Sequence, residues 1–66
     1  MKITVNNEIK KIQENSLFSL VNSVLGNKTE GVAIAINQTV ISKSDWDKFL
    51  LKDGDSVLII KATQGG

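Results

Sequence analysis

Gly65-Gly66 closes the 66-residue sequence, directly after a run of β-type residues, and this end carries the strongest candidate for chemistry in the chain. Two residues without Cβ make a thin tail, able to enter a channel too narrow for side chains. A carboxylate on Gly66 is the one group at such a tip that can form a covalent bond. A diglycine can also be a frayed end; the ordered segment running straight into it favours a working tail.

Other groups fare less well. Asp53 and Asp55 flank Gly54, and paired carboxylates suit acid–base catalysis or a hard cation. Asp-Gly-Asp is equally turn chemistry, and no third ligand lies close in sequence, so the turn is the stronger reading. Ser42, Ser44 and Ser56 have no histidine to activate them. With neither cysteine nor histidine, disulfides, zinc sites built on those ligands and Cys or Ser/His nucleophile systems are excluded. Each lysine sits among polar neighbours, a poor setting for a nucleophile. There is no glycine-rich phosphate loop. Self-contained catalysis is not expected.

The elements that must position the tail follow from patterning. Met1–Val5 alternates apolar and polar residues, Asn6-Asn7 supplies a turn, and Glu8–Ile12 resumes the strand: an N-terminal hairpin. Ser16 is a helix N-cap, followed by an apolar stripe of Leu17, Leu20, Val21, Val24 and Leu25, with Phe18 at its margin and Gly26 as the stop. Leu20 and Val24 are expected in the core. Val32–Ile36 is a third strand, Asn37-Gln38 its turn, and Val40-Ile41 a brief fourth strand. Ser44–Leu50 reads as a short helical turn capped by Ser44, with Trp46 closing an edge of the core. Lys52–Asp55 is a tight turn, and Ser56–Thr63 the last strand.

The order is therefore ββαββ, with a short helical turn before the last strand. An α+β chain of this kind lays one helix on one face of a mixed sheet of four to five strands. Residues 1–66 are expected to form one domain ending in a flexible Gly-Gly tail. Its core must be aliphatic, since only 5% of residues are aromatic. In the last strand Val57 and Ile59 share one side, and Leu58, Ile60 and Ala62 the other. One side packs on the helix; the other is left exposed beside the tail, which suggests a docking surface. A covering loop or a second copy of the chain is the alternative.

Partners are narrowed by charge. Eight lysines against seven acidic residues leave a net charge of +1, and the lysines are scattered, without the basic face of a nucleic-acid binder. No apolar run approaches the length of a membrane span. The expectation is a cytoplasmic protein that engages neither nucleic acid nor membrane.

The segments Ala35–Gln38, Ser44–Trp46, Leu51–Asp55 and Gly65-Gly66 together resemble the ThiS family of sulfur carriers in bacterial thiamin biosynthesis, over the whole chain. That family has the ubiquitin-like β-grasp fold, shared with ubiquitin and with the MoaD carriers of molybdopterin synthesis. The Asp-Gly-Asp turn and the diglycine are common to ThiS and MoaD. The short length, the Trp46 segment and a last strand without proline before the glycines point to ThiS. Ser42 departs from the pattern, standing where the family often has proline.

The resemblance implies a carrier and not an enzyme. Its covalent site would be the Gly66 carboxylate, adenylated by a ThiF-like partner using ATP and magnesium. Sulfur from a persulfide donor (a cysteine desulfurase or sulfurtransferase) would make it a thiocarboxylate, which then supplies a ThiG-like thiazole synthase. Gly65, Gln64 and Thr63 would form the tail that enters the partner's active site, and Leu58, Ile60, Ala62, Ala35 and Ala33 the docking surface. Two alternatives remain open at this point: a MoaD-like carrier for another cofactor, and a β-grasp binding module without chemistry.

Overall fold

A computed structural model describes residues 1–26 and 28–61. The elements are β1 (Lys2–Val5), β2 (Glu8–Lys11), α1 (Leu17–Leu25), β3 (Val32–Ile36), β4 (Thr39–Ile41), a 3₁₀ helix (Lys43–Asp45) and β5 (Ser56–Lys61). The five strands form one mixed sheet in the order β2-β1-β5-β3-β4, with β1 and β5 parallel and every other pair antiparallel. The expected ββαββ order and helical turn are thus present.

Both hairpins owe their register to two-residue turns. Asn6 and Asn7 have φ of 50° and 70°, and Asn37 and Gln38 51° and 74°. Left-handed angles at both central positions give the turn whose twist matches that of paired strands. The first turn sets Val5 opposite Glu8; the second sets Ile36 opposite Thr39 and Ala35 opposite Val40.

Helix α1 begins where expected: the Ser16 hydroxyl oxygen accepts from the Ser19 N–H at 3.2 Å. It ends at Gly26, whose φ of 65° is reached without the strain a side chain would bring. Its buried stripe is Leu17, Leu20 and Val21. Val24 is not core: it is 42% exposed, and Leu25 is the half-buried residue of the last turn.

The core cluster joins Leu17, Leu20 and Val21 to Ile3, Ile34, Ile36 and Val57 from the sheet, with Trp46 and Leu51 from the connection before β5. Each large aliphatic side chain fully buried here contributes roughly 1.5–3 kcal/mol. Trp46 fills its expected place, 4% exposed, and its indole N–H donates to the Ile41 carbonyl at 3.0 Å. The helical turn starts earlier than the pattern implied. Its N-cap is Ser42, not Ser44, and Ser42 makes no side-chain capping bond. At φ −59° Ser42 already holds the backbone angle that a proline would impose.

Candidate functional site

The outer face of the sheet is built by strand alternation. Val57 is buried and Ile59 half-buried against the helix side, while Leu58 and Ile60 point the other way, 45% and 46% exposed. The β3–β5 register sets Ala35 opposite Leu58 and Ala33 opposite Ile60. Residues directly opposite in an antiparallel pair share a face, so these four form one apolar group.

They do not contribute equally. Ala35 lies between Leu58 on one side and Val40 on the other, and is only 7% exposed. It is the floor of the patch. Leu58, Ile60 and Val40 (69% exposed) are its raised parts, and Ala33 is an open, low position beside Ile60. Val40 was missed from sequence. The signal was present in the Asn37-Gln38 turn, which fixes Val40 across from Ala35. Ile9, 73% exposed and paired with Thr4, lies further across on the same face, because Thr4 in turn pairs with Ser56.

β5 is fastened at its start by side chains. Asp55 is buried, and its two carboxylate oxygens accept from the Asn37 side-chain N–H at 3.0 Å and the Lys52 backbone N–H at 2.8 Å. The Asn37 side-chain oxygen accepts from the Ser56 N–H at 3.0 Å. Asp53 accepts from the Lys2 N–H at 2.7 Å, and the Lys2 carbonyl accepts from the Gly54 N–H at 2.7 Å. Both aspartates thus serve the turn. Among the described residues no group of His, Cys, Asp or Glu side chains could hold a metal ion. Further along, the Asn6 side-chain oxygen accepts from the Ile59 N–H at 2.8 Å, a contact across the sheet that local pattern reading does not reveal.

The proposed covalent site, Gly66, lies outside the described residues, as do Gly65, Gln64, Thr63 and Ala62. The last described residue is Lys61, paired with Val32 at the end of β5. None of the described helices is long and apolar enough to cross a membrane.

Known proteins share this architecture. The model of the ThiS family matches residues 2–66. The chain is 26% identical over 66 residues to the sulfur carrier protein ThiS of Escherichia coli (strain K12), covering 100% of both. It superposes on the crystal structure of the thiamine biosynthesis protein ThiS from Geobacter metallireducens with a TM-score of 0.83 at 25% identity, with 100% of each chain covered. A solution NMR structure of a thiamine biosynthesis protein from the same organism gives 0.77 at 25% identity, over 100% of this chain and 88% of that one. The class is therefore that of small β-grasp carriers, with one helix across a mixed five-stranded sheet. Within it, the chain belongs to the ThiS family, whose members are sulfur carriers and not catalysts.

Proposed function

We propose that this chain carries sulfur for thiamin biosynthesis as a thiocarboxylate on Gly66, residues 1–66 acting as one β-grasp domain in the cytoplasm. The observation that carries the reading is a family match running through Gly66, in a chain whose sheet exposes apolar Leu58 and Ile60 on the strand leading into the tail.

A carboxylate resists nucleophilic attack because it is anionic and lacks a good leaving group. A ThiF-like partner supplies Mg-ATP. A Gly66 carboxylate oxygen attacks the α-phosphate, pyrophosphate departs, and an acyl-adenylate forms. The terminal sulfur of a partner's cysteine persulfide attacks the acyl carbon and expels AMP, giving an acyl disulfide. Two electrons from a thiol reductant break the S–S bond, which leaves the thiocarboxylate on Gly66 and restores the partner's cysteine. A ThiG-like synthase then takes the sulfur into the thiazole ring. This chemistry explains how a sulfur carrier functions without cysteine.

The chain's own part is presentation. Docking through Leu58, Ile60, Ala33 and Ala62, over the Ala35 floor, turns a bimolecular encounter of the tail with the active site into a nearly intramolecular one. Thr63 and Gln64 set the reach, and Gly65 and Gly66 pass where a side chain would clash. The test is genetic. In a thiamin-requiring strain lacking its own carrier, the full chain and its cognate adenylating enzyme restore growth, and a chain ending at Gln64 does not. Equal growth with the shortened chain would contradict the reading.

A further inference from the structure

The two edges of β5 are not equally occupied. The Asn37 N–H donates to the Ser56 carbonyl at 2.8 Å, which fixes the phase of the β3–β5 ladder. Bonded and non-bonded pairs alternate along an antiparallel register, so Ser56, Leu58 and Ile60 direct their backbone groups at β3. Val57, Ile59 and Lys61 direct theirs to the opposite side, towards β1. The bonds on that side agree: Thr4 N–H to the Asp55 carbonyl at 3.0 Å and Asn6 N–H to the Val57 carbonyl at 2.9 Å.

There β1 stops. Asn6 turns away at φ 50° into the hairpin, and its side-chain oxygen stands in for the next strand carbonyl by accepting from the Ile59 N–H. Past Asn6 the Ile59 carbonyl and the Lys61 N–H face the vacated side. Among the described residues nothing bonds to either. They are spaced to bracket one residue of an added strand. The outer edges of the sheet differ: β2 carries Glu8, Lys10 and Lys11, charges that discourage strand addition, and β4 has only three residues.

We propose that the vacated edge at Ile59–Lys61 receives an extended strand of the enzyme that activates the tail, so that carrier and enzyme share a short backbone ladder. The proposal rests on the sulfur-carrier reading and names how the partner grips. The occupant follows from position and chemistry. The edge immediately precedes residues 62–66, and Gly65-Gly66 offers an enzyme no side chain to hold, only peptide groups. Strand addition draws its affinity from main-chain hydrogen bonds. The Ile60 side chain, on the adjoining outer face, adds apolar contact to the same partner.

The deciding measurement is amide hydrogen exchange at Lys61, in the wild-type chain alone and bound to its cognate adenylating enzyme. Leu58 and Ile60 amides, bonded to β3, are slow in both states. The Lys61 amide exchanges freely in the chain alone and slows at least ~10-fold in the complex, as expected for a newly bonded N–H. A second reading compares Lys61→Pro with Lys61→Ala. Proline is tolerated where a strand N–H faces solvent, so the two share a melting temperature, while the proline variant shows a KM for ATP–pyrophosphate exchange about fivefold higher, one hydrogen bond's worth. A Lys61 amide equally fast in the free and bound states, with wild-type exchange activity normal, overturns the strand proposal alone. A wild-type chain that supports no exchange overturns the carrier reading, and this proposal with it.

Discussion

The turn into β5 and the strand's first residue are tied down by Asp55, Asn37 and the Lys2 peptide. Towards its end, past the Asn6 bond to Ile59, β3 is its one ladder partner among the described residues, and Ile60 is exposed. The same strand therefore combines a fixed origin with an accessible terminus. On the proposed reading a carrier uses both: the origin sets the phase that turns Leu58 and Ile60 outward, and the terminus leads to the residues that would be loaded. Polar bonds gather at the strand's origin, and apolar side chains are left exposed further along it.

This contrast makes graded predictions. Gly65→Val acts at the open end and should reduce adenylation by about 100-fold or more, since small misplacements of a reacting group are that costly; its melting temperature should match wild type. A normal ATP–pyrophosphate exchange rate would break the assigned role of the tail. Asp55→Ala acts at the fixed end. It leaves the Lys52 N–H and the Asn37 amide without their acceptor, and should cost about 3 kcal/mol in denaturant unfolding. Exchanging the pair, Asn37→Asp with Asp55→Asn, preserves the donor and acceptor complement and should recover most of that loss.

Ile60→Asp should weaken binding to the adenylating enzyme by about tenfold through loss of one exposed apolar contact. A collapsed melting temperature with unchanged affinity would instead assign Ile60 to the core. Asn6→Gly marks the border between the two regimes. It keeps the left-handed turn and removes the side chain whose oxygen accepts from Ile59, so denaturant unfolding should show a loss of about 1 kcal/mol.

Much of the fold was readable because local and global preferences agree. The Asn6-Asn7 and Asn37-Gln38 turns, the Ser16 cap and the Gly26 stop each specify backbone geometry that the structure adopts. Aliphatic alternation in β5 gave the outward direction of Leu58 and Ile60. What escaped was set by contacts distant in sequence. Val24 fits the helical stripe but lies in the last turn of a nine-residue helix, where it is left exposed. Ala35 faces outward, yet Val40 and Leu58 overhang it. Asn6 reads as a turn residue, and its bond to Ile59 spans 53 positions. The importance of Gly66 came from resemblance and from the chemistry of a bare carboxylate, not from any pattern of packing.

The central claim is that Gly66 is where sulfur is loaded, and intact-protein mass tests it most directly. After incubation with the cognate adenylating enzyme, Mg-ATP, a persulfide donor and a thiol reductant, the account predicts a chain with one terminal oxygen replaced by sulfur, the change mapping to the C-terminal fragment. An unchanged mass, under conditions where the same enzymes convert the Escherichia coli carrier, would contradict it.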